Sequence, residues 1–411
     1  MAQLNITLNQ DEVLRLLSED GGGAFRLLLQ EAVNAVLRAE SSEQLGAERY
    51  ERTEARLDSR NGVRSRPLTT RIGDIELAVP RHRNVPFKTL VFDNYQRSES
   101  ALVTTMAEMV VGGVSTAKVG KVMETLCGKS FSKQTVSEAC KELDSSVKEF
   151  ATRKIDGDYL FVMVDATGLK AREKHRIESR SLMIAIGFTP DGRKDIIGFA
   201  VYDAENASSW THFLDGLRKR GLSGIRMFTS DAHAGLVSSL MKVYPGVAWQ
   251  RCQAHFARDI MDGVPKKHKA GLRSELVDMF NCQTMESARS RRDEIISDYG
   301  EIAPKAMECL DNGFDDAMTV MELPLQMRRC VRTSNYLERL NREIKRRSKV
   351  IGIFPNDASI TRLVGSFLIE ENERWADAAA VYYKPAVEEL EGKKEVLIQI
   401  ATSQSKLHLA A

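Results

Sequence analysis

The chain opens on a helical rhythm. Leu14, Leu16 and Leu17, then Phe25, Leu28, Leu29, Ala32, Val33, Val36 and Leu37, recur at the spacing of one helix face. Gly21–Gly23 separates the two runs. An amphipathic helix here serves either as core or as an oligomer contact, and the pattern leaves both open. Arg71-Ile72-Gly73-Asp74-Ile75-Glu76-Leu77 then alternates polar and apolar in the manner of a strand, with Gly73-Asp74 as the expected turn. From Ser115 the pattern predicts two short helices. Ser115 caps the first, with Val119, Val122, Met123 and Leu126 inward; Gly128 supplies the turn. Ser132 caps the second, with Val136, Cys140 and Leu143 inward. The pair has helix-turn-helix size, although ordinary helical hairpins share the pattern.

From Asp158 to His255 the rhythm changes. Tyr159–Val164 is a short apolar run rich in Val, Phe and Leu, which suits a strand buried on both faces. Ser181–Phe188 and Lys194–Tyr202 are apolar strands joined by Thr189-Pro190-Asp191-Gly192, a strong turn signal. Next come an amphipathic helix over Ser208–Gly221, a strand over Gly224–Asp231, a helix over Ala234–Tyr244 and a last strand over Val247–Gln250. This order of strands and helices matches an RNase H-like layout, in which the first and fourth strands lie side by side and bring their terminal residues together. Phe256 to Met321 is helical and charge-rich, with a basic cluster at Lys266-Lys267-His268-Lys269. Thr333–Val350 is a further helix, with Leu337, Leu340 and Ile344 as its apolar stripe.

Composition sets outer limits. The 411 residues suffice for two or three domains. The formal net charge of +2 hides local extremes. Six cysteines (Cys127, Cys140, Cys252, Cys282, Cys309 and Cys330) show no CxxC pair, which argues against a disulfide framework and fits a reducing compartment. No signal peptide is visible, and no apolar stretch approaches the roughly 20 residues needed to span a bilayer. The expectation is a soluble intracellular protein without a membrane partner.

The chemistry begins with acids at the ends of greasy strands. Asp165 closes the Tyr159–Val164 run and Asp231 closes the Gly224 run. A carboxylate there is costly unless it is paired, hydrogen-bonded or bound to a cation. With Glu338 on the late helix, they have the spacing of a site that holds two divalent cations for phosphodiester chemistry. Glu338, Arg342 and Lys345 stand at i, i+4 and i+7 and share a face. A local alternative makes Asn335 the N-cap and Glu338 a capping-box glutamate. The dense cluster of Arg328, Arg329, Arg332, Arg339, Arg342, Lys345, Arg346, Arg347 and Lys349 goes beyond capping and offers a positive strip for a DNA backbone. Cys252-Gln253-Ala254-His255 invites a zinc reading, but the chain has no second pair at finger spacing. Cys252 then reads as a packed strand-end residue, with His255 turned toward the acids. Arg60 to Lys88 carries seven Lys or Arg against Asp74 and Glu76. It is either a phosphate-contacting ribbon, through Arg60, Arg64, Arg66, Arg71, Arg81 and Arg83, or a solvated charged hairpin. Lys129, Lys133 and Gln134 near the second short helix would face a DNA groove.

Four blocks sharpen this picture: ERTEARLDSRNGVRSRPLTTRIGDIELAVPRHR, SSWTHFLDGLRKRGL, CQAHFARDI and TSNYLERLNREIKRRSKVIGIFPN. They resemble the blocks of bacterial IS256-type (Mutator-like) transposases, and the similarity runs from about Leu45 to Trp375. The resemblance implies a DDE transposase: an α/β RNase H-like catalytic domain interrupted by an all-helical insertion. A mainly helical N-terminal DNA-binding region with a small β-hairpin would precede it. The family's acids fall on Asp165, Asp231 and Glu338, its C/DxxH motif on Cys252 and His255, and its basic residue after the glutamate on Lys345. In one respect the chain departs from the pattern: Thr167-Gly168 stands where an aromatic is usual, before Lys170-Ala171-Arg172.

The resemblance carries further expectations. Two Mg²⁺ ions, with Mn²⁺ able to substitute, would sit between the three acids and support 3′-end cleavage and strand transfer. No Ser or Tyr stands out as a nucleophile. The partners would be double-stranded DNA, as terminal inverted repeats and as target, and a second copy in a homo-oligomer, expected to be a dimer. The setting would be the bacterial cytosol. The expected division is 1–59 helical, 60–100 basic loop and hairpin, 101–154 helix-turn-helix-like, 155–255 catalytic core, 256–332 helical insertion and 333–411 catalytic helix with C-terminal helices. Two other functions share these signals: an RNase H-like structure-specific nuclease that cuts without joining, and a DNA-binding regulator of transposase descent that has lost catalysis.

Overall fold

A computed structural model describes residues 21–411 apart from 52, 54, 55, 71, 90–99, 128–130, 175, 379 and 411. The chain forms two compact units, Met1–Glu142 and Leu143–Ala411.

In the first unit, helix α1 (Gly21–Leu45) packs on a two-stranded antiparallel ribbon of β1 (Arg60–Thr70) and β2 (Gly73–His82). Leu37 of the helix meets Leu68, Ile75, Leu77 and Val79 of the ribbon in one core. Strand alternation puts every second residue of β2 on that face. The helix also closes the free edge of β2. Gln30 Oε1 accepts from Glu76 N at 2.8 Å, Asn34 Oδ1 accepts from Ala78 N at 2.8 Å, and Asn34 Nδ2 donates to Glu76 O at 3.3 Å. An edge strand left bare would invite pairing with another chain. The three-glycine segment opens α1, while Leu14, Leu16 and Leu17 lie outside the described residues. Gly73-Asp74 is paired strand and not the turn, because pairing continues through Thr69↔Asp74 and Thr70↔Gly73. Gly73 takes φ +110° directly after the turn, a value that L side chains rarely adopt.

Helices α2 (Ser100–Val111), α3 (Thr116–Cys127) and α4 (Lys133–Ala139) gather around Leu102, Met106, Val119, Met123, Phe131, Val136 and Ala139. Ser132 caps α4 as expected, its hydroxyl accepting from Thr135 N at 3.0 Å. Gly120 lets α3 approach the next segment, since a Cβ there would lie 2.5 Å from the Phe131 carbonyl oxygen. Two sequence expectations fail in detail. Leu126 is 63% exposed rather than inward, and α4 ends at Ala139, with a short 3₁₀ turn over Cys140–Leu143.

In the second unit, helix α5 (Asp144–Thr152) leads into a five-stranded mixed sheet of order β5-β4-β3-β6-β7. The strands are β3 (Phe161–Glu173), β4 (Arg176–Phe188), β5 (Lys194–Tyr202), β6 (Met227–Ser230) and β7 (Ala248–Arg251). β3, β4 and β5 run antiparallel, and β6 and β7 continue parallel to β3. The first and fourth strands are therefore neighbours, as the sequence pattern predicts. β3 outruns the expectation, however. Its pairing with β4 continues to Glu173↔Arg176, whereas its pairing with β6 covers only Phe161 to Met163. Asp165 thus lies inside a strand, just beyond the point where β6 parts from it.

Helices α6 (Ala207–Lys219) and α7 (Ala234–Val243) contribute to the sheet's core through Trp210, Leu214, Leu217, Leu236 and Leu240. Between β7 and the late helix come α8 (Gln253–Asp262), α9 (Lys269–Phe280), α10 (Met285–Tyr299), α11 (Pro304–Met318) and α12 (Leu325–Val331). Helices α8 to α11 share a core of their own around Phe256, Leu276, Leu310, Phe314 and Met318. Gln250 on β7 fastens it to the sheet: its amide donates to Ala317 O at 2.6 Å and its oxygen accepts from Val320 N at 2.6 Å. The chain ends with α13 (Asn335–Ile351), α14 (Asp357–Ala378), α15 (Val387–Gly392) and α16 (Lys394–Ala410). Gln404 of α16 seals the outer edge of β7, accepting from Trp249 N at 2.9 Å and donating to Trp249 O at 2.7 Å. Among the described residues, no helix is long and apolar enough to cross a membrane.

Candidate active site

Three elements carry the expected acids: Asp165 is on β3, Asp231 follows β6, and Glu338 is on the first turn of α13, which lies against β3. α13 has a sharply divided surface, with Leu337, Leu340, Asn341, Ile344 and Ser348 buried and Arg342, Lys345 and Arg346 exposed. The buried stripe fixes the helix and leaves the charged face outward.

The Asp165 carboxylate is half-buried and doubly held. Oδ1 accepts from Ala166 N at 2.9 Å and Oδ2 accepts from the Asn341 side-chain amide at 2.8 Å. Burial, with the neighbouring Asp231 carboxylate, pushes its pKa up to about 6, against the pull of His255. Asp231 Oδ1 accepts from His233 N at 3.3 Å. Glu338 Oε1 lies 3.4 Å from His255 Nε2 and 3.3 Å from Arg258 Nη2. Ser334 precedes the helix, and no side-chain bond caps it. Glu338 is therefore turned to the site, not to a capping box.

Behind these acids lies a polar knot. Cys252 is fully buried, and its Sγ accepts from Ser334 N and Ser334 Oγ, both at 3.2 Å. Ser334 Oγ also stands 3.5 Å from His255 Nδ1. The bond to Cys252 raises the His255 pKa to about 9; burial opposes this, and the charges of Cys252, Asp165 and Glu338 reinforce it. Burial works against the Cys252 thiolate, yet donation from His255 and Ser334 brings the thiol below its ordinary value. The raised value favours the protonated form of His255, which lies between Asp165 and Glu338. Among the described residues, no group of three His, Cys, Asp or Glu side chains is placed to hold a metal ion, so the zinc reading finds no further ligands and the three acids do not close around one ion position.

In donor chemistry the acids nevertheless suit a hard cation. They offer carboxylate oxygens, the ligands Mg²⁺ prefers, and the mutual repulsion of Asp165 and Asp231 is what a cation would relieve. Asn341 Oδ1 is buried without a hydrogen-bond partner and adds an oxygen beside Asp165. Glu338 differs from the two aspartates in facing cationic side chains, His255 and Arg258.

The other expected residues are spread over both units. Arg64, Arg66 and Arg81 line a groove of about 420 Å³ on the ribbon, together with His82, Phe87 and Lys88. Arg60 turns inward, donating to Glu48 O, Ala47 O and Ser42 Oγ at 3.0, 2.9 and 2.8 Å. Arg83 is exposed, and its backbone N donates to Ser59 O. Lys133 and Gln134 are exposed on α4, with Gln134 donating to Glu138 at 3.0 Å. Arg71 and Lys129 lie outside the described residues. Arg346 pairs with Glu343 at 2.7 Å, whereas Arg342 and Lys345 form no ion pair among the described residues.

Sequence reasoning missed Asn341, Ser334 and Arg258. Asn341 had a signal, being a polar residue inside the Leu337–Leu340–Ile344 stripe. Arg258 had a weaker one, one turn after His255 on the same helix.

Against known proteins, residues 1–378 match the family described as Transposase, Mutator family. The chain is 39% identical over 386 residues to the transposase for insertion sequence element IS256 in transposon Tn4001 of Staphylococcus aureus, covering 93% of this chain and 99% of that protein. The chain belongs to the Mutator family of transposases. The transposase for ISRM5 of Rhizobium meliloti is 39% identical over 363 residues, with 88% and 91% of the two chains covered. That for IS1081 of Mycobacterium tuberculosis is 37% identical over 355 residues, covering 86% of each. As a Mutator-family transposase, the protein carries its Asp165, Asp231, His255 and Glu338 within the region matched by the family.

Proposed function

We propose that this transposase cuts the ends of its own element and joins the freed 3′-hydroxyl to target DNA at a site made by Asp165, Asp231 and Glu338. The observation that carries the reading is the crowding of Asp165 against Asp231, with Glu338 linked to Asp165 through His255. The strand order β5-β4-β3-β6-β7, with β3 central between an antiparallel and a parallel side, supports an RNase H-like catalytic domain.

Asp165, Asp231 and Glu338 would hold two Mg²⁺ ions, or Mn²⁺ in their place. When bound, such ions supply Lewis-acid stabilisation of the attacking and leaving oxygens in an in-line displacement. The chain's own residues do the rest. Asn341 fixes the Asp165 rotamer by its 2.8 Å bond. His255, itself fastened by Cys252 and Ser334, offsets negative charge between Asp165 and Glu338. Arg342 and Lys345, exposed on the outer face of α13, take DNA phosphates and align the scissile one. In the N-terminal unit, Arg64, Arg66 and Arg81 contact the backbone of the terminal repeat, and Lys133 and Gln134 face a groove. Active protein works as a homo-oligomer, a dimer bringing two ends together.

A strand-transfer assay tests the reading. Full-length protein, Mg²⁺, a duplex carrying the element's end and a supercoiled target should give a covalently joined product. Cleaved ends that never join would favour a nuclease instead.

A further inference from the structure

Glu338 is drawn in two directions. Its Oε1 faces His255 Nε2 at 3.4 Å on one side and Arg258 Nη2 at 3.3 Å on the other. The two partners differ in freedom. His255 is only 20% exposed and is tied behind by Cys252 and Ser334, whereas the Arg258 side chain is 57% exposed and can leave. Arg258 also stands on the rim of a cleft of about 530 Å³ between α8 and α9, where Lys269, Arg273 and Arg332 face only one acid, Asp262. A phosphate chain drawn to that cleft comes within reach of Arg258, one of its lining cations. Guanidinium binds phosphate in the same two-pronged fashion as carboxylate, so phosphate and Glu338 compete for it.

We propose that Arg258 is a positioning residue that keeps Glu338 from completing the cation site until DNA phosphate takes the guanidinium away. This rests on the reading of Glu338 as a cation ligand. Two effects act together before DNA arrives. The ion pair turns the carboxylate toward Arg258, and the guanidinium charge repels a cation approaching Glu338. The arrangement agrees: no three His, Cys, Asp or Glu side chains among the described residues are placed around one ion. DNA binding then completes the site, and the protein does not assemble a hydrolytic centre in its absence.

The test is Mn²⁺ binding by full-length protein, read from the EPR signal of the free ion, without DNA and then with a duplex carrying the element's end. Ions bound by the duplex alone are subtracted. Arg258→Gln should bind Mn²⁺ about fivefold more tightly than wild type without DNA, the size of one partly exposed ion pair. It should melt with wild type, because its side chain is more than half exposed. Adding Glu338→Gln to Arg258→Gln should abolish the gain, and DNA should close the gap between Arg258→Gln and wild type. Equal or weaker binding by Arg258→Gln without DNA overturns the proposal, as does a gap that persists with DNA. If Mn²⁺ binding depends on Glu338 but not on Arg258, the positioning role alone is wrong. If it is indifferent to Glu338 in every protein, the cation-ligand reading falls with it.

Discussion

Asn341 donates its side-chain amide to Asp165 Oδ2 at 2.8 Å, across 176 positions of chain. This bond joins the helix that carries Glu338 to the strand that carries Asp165, so it ties the carriers of two acids to one another. Asn341→Leu keeps the buried stripe of α13 apolar but frees the Asp165 rotamer. Cleavage at saturating DNA should fall about 10- to 100-fold, as when an outer-shell partner of a metal ligand is lost, while DNA affinity stays. Unchanged cleavage would show that β3 alone orients Asp165.

Lys345 tests the outer face of the same helix. Its side chain is exposed, so Lys345→Gln should melt with wild type. If it aligns a phosphate beside the scissile one, cleavage and joining should fall on the order of 100-fold, the effect of misplacing reacting groups by about 1 Å. Wild-type strand transfer would make this face ordinary solvated surface.

Gln404 tests how the sheet is finished. It satisfies both backbone groups of Trp249 and donates to Asp316 Oδ1 at 2.9 Å, all in a buried setting. Gln404→Leu orphans these groups and should destabilise the protein by about 1–3 kcal/mol, read as a drop of several degrees in Tm. An unchanged Tm would mean that α16 is not needed to seal β7.

Lys194 gives a pH-dependent prediction. Its Nζ lies over the rings of Trp375, Tyr382 and Tyr336 at 3.9, 4.2 and 4.4 Å. Burial lowers its pKa to about 8. The unfolded chain holds that proton up to about pH 10.4. Between these values the unfolded state binds more protons, so stability rises with pH there. The penalty of burying the charge is full below pH 8 and fades toward pH 10. The Tm of Lys194→Met relative to wild type should therefore be highest below pH 8 and decline toward pH 10. A constant difference across that range would contradict the shift.

Much of this was legible in the sequence, and the limits have physical causes. The two aspartates stood out as candidates because a carboxylate closing an apolar run is expensive to bury. The neighbouring placement of the first and fourth strands followed from the order of elements. That Asp165 sits within β3 was hidden, because the extension to Glu173 depends on pairing with β4, a tertiary fact. Arg60 read as a DNA contact from its charge, yet it binds the carbonyls of Ala47 and Glu48 just after α1. Charge counts cannot distinguish a cation facing solvent from one that completes backbone hydrogen bonds. The clasp of Arg258 and His255 on Glu338 spans about 80 residues and left no local signal beyond their shared helix face.

If Asp165, Asp231 and Glu338 act as one site, none of them can be spared. End cleavage and joining by Asp165→Asn, Asp231→Asn and Glu338→Gln, measured beside their affinity for the element's end, decides this. Each single variant should lose both reactions while binding DNA about as tightly as wild type. Cleavage comparable to wild type by any one of the three would remove that residue from the site and break the three-acid centre apart.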